Sequence, residues 1–307
     1  MDKKLFLFPG QGSQAVGMGK DLYESFGLAR DLFQKADEVL GYGLSRLCFE
    51  GPEEELRLTK NTQPALLTVS VIIYRLLEIT PSLAAGHSLG EYSAHVAAGT
   101  LGFEDAVLLV HKRGRYMQEA VPVGIGAMAA VLGLSFELVS EVLKKVGSGL
   151  VQVANWNSAE QIVIAGEKNA VEEAMEQLKP ARSVLLPVSA PFHCRLMQGA
   201  EDKLAADLEK VDFFDPEYPV ICNVDAVPVT TGGLARDALR RQVTRPVLWF
   251  GSMESLRYEG IGTCIELGSG KVLSGLMKRI IRGWDGSPDI FNIEGAESLA
   301  DVKVKVP

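Results

Sequence analysis

The sequence predicts an α/β protein, a parallel sheet covered by helices on both faces, with a small ferredoxin-like unit inserted partway along the chain. Short apolar runs alternate with stretches of helical period at both ends of the sequence, the signature of parallel strands joined by helices. Between Ile125 and Val188 the rhythm changes to β-α-β-β-α-β, the split βαβ pattern. A chain of 307 residues is long enough to bury a sizeable core in such a fold.

The elements follow in order. Leu5–Phe8 reads as a buried strand, closed by the turn Pro9-Gly10-Gln11-Gly12-Ser13. Asp21–Leu40 and Gln63–Leu77 carry apolar residues at helical spacing, and Ser82–Ala85 reads as a second strand. Helices follow from about Leu89 and over Glu104–Ala120. In the inserted unit, Ile125–Leu132 is a strand and Ser135–Val146 a helix. Leu150–Ala154 and Gln161–Ala165 form two strands separated by the turn-forming Asn157-Ser158. Lys168–Leu178 is the second helix and Ser183–Leu186 the last strand. Val220–Cys222 and Thr263–Glu266 return to the first pattern. We therefore expect a large domain of residues 1–124 and 190–307, a small domain of residues 125–189, and a cleft between them.

Composition narrows the function classes. Hydrophobic residues make up 47% and charged residues 23%, ordinary for a folded globular chain. A net charge of −8 argues against non-specific nucleic-acid binding, which needs surplus Lys and Arg facing phosphates. Cys48, Cys194, Cys222 and Cys264 lie far apart with no CxxC spacing, so they read as reduced thiols. The first apolar run is too short for a signal peptide. The longest, Ala65–Leu77, is interrupted by Thr68, Ser70, Tyr74 and Arg75, so no membrane span is expected. A cytoplasmic protein is the expectation.

Gly86-His87-Ser88-Leu89-Gly90 lies between a predicted strand and a predicted helix, which is the context of a nucleophile elbow. The glycines permit a sharp turn that exposes the serine hydroxyl. The helix N-terminus behind it offers free N–H groups where an oxyanion would develop.

A serine needs a base, and the chain has four histidines. His87 adjoins Ser88 and should point elsewhere, while His95 and His111 lie within helices. His193, in Ser189-Ala190-Pro191-Phe192-His193, sits where the inserted unit rejoins the large domain, and by elimination it is the base. No histidine follows it, which disfavours an esterase or lipase, whose histidine comes late in the chain.

Along Glu104–Ala120, one stripe reads Ala106, Val110, Arg113, Met117, Ala120. An arginine on an apolar stripe needs an anionic partner. That partner is either a protein carboxylate or the free carboxylate of a substrate, and the residues alone leave both open. Gln11, in the first glycine-rich turn, could line a site or simply turn the chain.

Taken together, FPGQGSQ, GHSLGEYSA, HKRGRYMQEA and SAPFHC resemble the malonyl-CoA:acyl carrier protein transacylases of fatty acid synthesis and the acyltransferase domains of polyketide synthases. The resemblance runs from Phe8 to about Leu273 and implies an α/β-hydrolase-like large domain with a ferredoxin-like small one. It implies that Ser88 is the nucleophile and His193 its base, with the backbone N–H groups of Gln11 and Leu89 as the oxyanion hole. Arg113 would hold the malonyl carboxylate. Asn157 would face the site, and Phe192 and Leu89 would favour malonyl over methylmalonyl. The implied partners are malonyl-CoA and acyl carrier protein. No metal or redox cofactor is implied, and a monomer is expected.

Two departures stand out. Leu248, in Pro246-Val247-Leu248-Trp249, replaces a common glutamine at a position expected to meet substrate, and Ser269 replaces a frequent proline. Leu248 cannot support His193 through its side chain; the resemblance implies that a backbone oxygen holds the imidazole, and a loop such as Pro246–Trp249 can aim one at it. Two basic groups are candidate surfaces for an acidic carrier protein: Arg236, Arg240, Arg241 and Arg245, and Lys271, Lys278, Arg279 and Arg282.

Overall fold

The structure, a computed structural model, describes residues 3–188 and 190–306. Six strands form one sheet: β1 Lys3–Phe8, β2 Leu83–Gly86, β7 Val220–Ile221, β8 Pro228–Val229, β9 Ile261–Leu267 and β10 Asp289–Ile293. Their order is β10-β9-β1-β2-β7-β8. Every pair is parallel except the β7–β8 hairpin.

The remaining strands, β3 Gly126–Leu132, β4 Val151–Ser158, β5 Gln161–Glu167 and β6 Arg182–Leu185, form an antiparallel sheet in the order β4-β5-β3-β6. Numbered within the unit this is 2-3-1-4, with the helices Phe136–Leu143 and Lys168–Gln177 as its crossovers. That is the arrangement a split βαβ repeat produces.

β1 shows why the large sheet is central. Leu5, Phe6, Leu7 and Phe8 are all fully buried. Period-two alternation sends Phe6 and Phe8 to one face, against Tyr74, with ring centroids at 6.2 and 6.5 Å. Leu5 and Leu7 go to the other face, in a cluster with Trp249, Met253 and Met277. The small sheet has its own core of Val131, Ile162, Ile164 and Val171. β4 reaches the large unit through Trp156, whose N–H donates to the Val247 carbonyl at 2.9 Å.

Several expectations need correction. Asp21–Leu40 is two helices, Lys20–Ser25 and Gly27–Leu40, because Phe26 is extended (φ −127°, ψ 132°) ahead of a helix-weakening glycine. The Gln63–Leu77 helix begins earlier, at Thr59, and runs through Pro64. Proline has no N–H to give the Lys60 carbonyl four residues back. His111 supplies the missing donor from its Nδ1, 3.0 Å away, which explains that histidine. β4 runs to Ser158, so Asn157-Ser158 belongs to a strand and the reversal falls at Ala159-Glu160. Its asparagines are polar because they face a cleft rather than because they turn the chain. β10 and the final helix Ala296–Lys305 were not anticipated. The expected domain boundary at residue 189 lies outside the described residues.

Candidate active site

β2 ends at Gly86, and the helix Leu89–Ala97 begins immediately after Ser88. Ser88 holds φ 52° and ψ −106°, a left-handed conformation that a side chain adopts only under constraint. The constraint is visible. The Ser88 N–H donates to Asn223 Oδ1 at 2.7 Å, and Asn223 Nδ2 donates to the Gly86 carbonyl at 2.7 Å.

The flanking glycines are required by close approach. A Cβ on Gly86 would lie 1.9 Å from the Gly90 carbonyl carbon, and one on Gly90 would lie 1.9 Å from the Phe8 carbonyl oxygen. Both obstacles are backbone at the crossing of helix and sheet, so neither can yield cheaply. Gly90→Ala is expected to destabilise the fold by about 3 kcal/mol or more. Thermal denaturation checks this, and an unchanged Tm would contradict the packing.

Ser88 Oγ lies 2.8 Å from His193 Nε2, and His193 Nδ1 lies 2.8 Å from the Gln242 carbonyl oxygen. A carbonyl only accepts, so Nδ1 carries the proton and Nε2 is free to take one from the serine. His193 is 4% exposed. Burial, together with the Arg113 charge beside it, pulls its imidazole down to about 3, which keeps it neutral near pH 7.

A backbone carbonyl does hold the histidine, but it belongs to Gln242 rather than to Pro246–Trp249. Leu248 is also corrected. Its N–H donates to the Asn223 carbonyl and its own carbonyl accepts from Ser252 N–H, at the start of the helix Trp249–Glu254. It does not line the cavity at Ser88.

That cavity, about 150 Å³, is lined by Gln11, Ser88, Leu89, Arg113, Phe192 and His193, with Gln63, Met117 and Asn155. Among the described residues, neither the Gln11 nor the Leu89 backbone N–H meets a hydrogen-bond partner. Asn157 lines not this cavity but the wider one beside it, with its Oδ1 2.8 Å from His87 Nε2, while Asn155 lines both. The Asn157 contact directs His87 away from Ser88. A second cavity, about 510 Å³, shares Gln11, His87, Asn155 and Leu186 with the first and extends to Lys271 and Arg279.

Arg113 is 1% exposed, and neutral groups surround it. Its Nη1 donates to Gln63 Oε1 at 2.8 Å, and its Nη2 to Gln242 Oε1 at 2.8 Å and to Ser88 Oγ at 3.1 Å. Its guanidinium carbon lies 5.5 Å from the Tyr92 ring centroid. Among the described residues no carboxylate comes within ion-pairing distance of it, so the internal salt bridge left open by the sequence is not what the fold provides. Burial lowers its pKa, the expense of holding a cation out of water.

Four participants escaped sequence reasoning: Gln63, Glu91, Asn223 and Gln242. Glu91 is fully buried, and its Oε2 accepts from Asn223 N–H at 3.0 Å and Gln242 Nε2 at 2.7 Å. Burial pushes its carboxyl up to about 7. Glu91 lies inside the GHSLGEYSA segment and could have been flagged as a charge amid apolar residues. Gln242 closes an Arg-rich helix and carries no such signal.

A serine against a neutral imidazole, two unengaged amides and an unpaired buried guanidinium suit nucleophilic transfer of an acyl group that bears a carboxylate. The comparisons agree in kind. A family model described as "Acyl transferase domain" matches residues 5–285. The malonyl CoA-acyl carrier protein transacylase of Escherichia coli is 48% identical over 289 residues, 92% of this chain and 94% of that protein. The structure of an acyl carrier protein S-malonyltransferase from Vibrio cholerae superposes with a TM-score of 0.94 at 45% identity, covering 98% of this chain and 99% of that one. A malonyl-transacylase solved in complex with its type II PKS acyl-carrier protein gives 0.94 at 44% identity, with 99% of each chain covered. This chain belongs to the acyl transferase family of which those malonyltransferases are members.

Proposed function

We propose that the protein transfers a malonyl group from malonyl-CoA to the phosphopantetheine thiol of an acyl carrier protein, supplying chain elongation in fatty acid or polyketide synthesis. The observation that carries this reading is Ser88 Oγ, which sits between the His193 imidazole at 2.8 Å and a buried guanidinium that has no carboxylate of its own.

Ser88 Oγ attacks the thioester carbonyl as its proton passes to His193 Nε2. The oxyanion turns toward the backbone N–H groups of Gln11 and Leu89, and Arg113 takes the malonyl carboxylate. Collapse breaks the C–S bond, and coenzyme A leaves with the proton from His193. The carrier thiol then gives its proton to the same nitrogen, attacks the malonyl-serine ester, and Ser88 departs reprotonated. Phe192 and Leu89 crowd the small cavity, which disfavours an α-methyl.

Of the two basic groups, the first is largely satisfied internally. Arg236 pairs with Glu209, Arg240 with Glu201 and Asp237, and Arg241 with Asp225 and Asp237. Lys271 and Arg279 of the second line the wider cavity, where Lys271 also meets Glu294 at 3.4 Å and Arg279 donates to the neutral Gln161 at 3.0 Å, and this face suits an acidic carrier. We take residues 1–124 and 190–307 as the large domain and 125–189 as the small one, in a cytoplasmic monomer. Among the described residues no helix is long and apolar enough to cross a membrane. The test is incubation with malonyl-CoA and phosphopantetheinylated carrier protein. Malonyl-carrier is the expected main product, and free malonate in its place would make the protein a hydrolase.

A further inference from the structure

Arg113 and Glu91 are opposite charges buried at 1% and 0% exposure, and a direct salt bridge would be the ordinary way to lower the cost of burying both. Instead one side-chain amide lies between them. Gln242 Oε1 accepts from Arg113 Nη2 at 2.8 Å, while its Nε2 donates to Glu91 Oε2 at 2.7 Å. The same Nε2 donates to the Ser88 carbonyl at 3.0 Å. A guanidinium only donates and a carbonyl only accepts, so these partners fix which end of the amide faces which charge. Arg113 also keeps an unused donor, since its Nε is buried without a hydrogen-bond partner among the described residues.

We propose that Gln242 is an insulating spacer, a specificity-determining residue that keeps Arg113 from pairing with Glu91 and so leaves the guanidinium free for the substrate's carboxylate. The inference rests on the malonyl reading above. A direct pair would have to be broken each time malonyl entered, whereas a neutral amide orients the guanidinium without cancelling its charge. Gln63 does the same on the other side through Nη1, 2.8 Å away.

The test compares acylation by malonyl-CoA and acetyl-CoA at pH 8, above the pKa of the Glu91 carboxyl, which burial pushes up to about 7. Gln242→Glu puts a carboxylate against Arg113 and should reduce the malonyl-over-acetyl preference by about a hundredfold. Glu91→Gln keeps an oxygen to accept both hydrogen bonds but removes the negative charge behind the spacer. It should raise the preference by about threefold or more. The readout is a ratio within one folded population, so partial unfolding does not move it, and a purely structural role would lower Tm while leaving the ratio alone. If Gln242→Glu yields no folded protein, Glu91→Gln decides by itself. A preference unchanged in Glu91→Gln overturns the spacer. Arg113→Ala, run alongside, separates the two levels: if it abolishes the preference while the other variants keep it, only the spacer fails. If it leaves the preference intact, the malonyl reading fails and the spacer with it.

Discussion

Ser88→Ala is expected to fold normally and to form no acyl-enzyme with malonyl-CoA, lowering transfer by on the order of 10⁴-fold or more. The size follows from the chemistry. His193 retains its tautomer, because Nδ1 still donates to the Gln242 carbonyl at 2.8 Å, but it has no hydroxyl left to activate. The elbow should survive, since it is held through backbone and neighbours: the Ser88 N–H on Asn223 and the flanking glycines against the sheet. Alanine at φ 52° is no more strained than serine. Circular dichroism and Tm should therefore stay near wild type while burst-phase acylation disappears. A stable malonyl adduct on another residue would remove Ser88 from its role.

Arg113→Ala is expected to reduce malonyl transfer by on the order of a hundredfold, about 3 kcal/mol of a charge-assisted, bidentate contact. Acetyl transfer should change far less, because acetyl offers no carboxylate. The fold supports this difference, since the guanidinium is held by two glutamine oxygens and a serine, with no structural ion pair to lose. Steady-state rates for both thioesters check it, and equal losses would mean that Arg113 serves the architecture rather than selectivity.

What could be read from the sequence was local or forced by scarcity. The Gly86–Gly90 spacing is legible because strand, turn and helix follow within a few residues, and their packing tolerates no Cβ at either glycine. His193 was reached by exclusion among four histidines, and Arg113 because a permanent charge stood on an apolar stripe. Asn223 and Gln242 were not legible. Asn223 meets Gly86 across 137 positions because β7 lies beside β2, and Gln242 meets Glu91 across 151 because its helix ends against the elbow. Neither carries a local mark, since asparagine after a short strand and glutamine after two arginines look like surface residues. Leu248 misled for the opposite reason. Its motif resembles a segment near the site, but a helix start takes it out of the cavity at Ser88.

The central claim is that malonyl passes through an ester on Ser88 before it reaches a carrier thiol. Rapid quenching of the wild-type protein with malonyl-CoA, followed by peptide mass mapping, tests it most directly when a second sample receives phosphopantetheinylated carrier protein before the quench. The account predicts a malonyl group on the peptide containing Ser88 in the first sample, and in the second its loss matched by malonyl on the carrier. An adduct that stays on the enzyme when carrier is added, or malonyl-carrier formed with no adduct on Ser88 at any time, would contradict it.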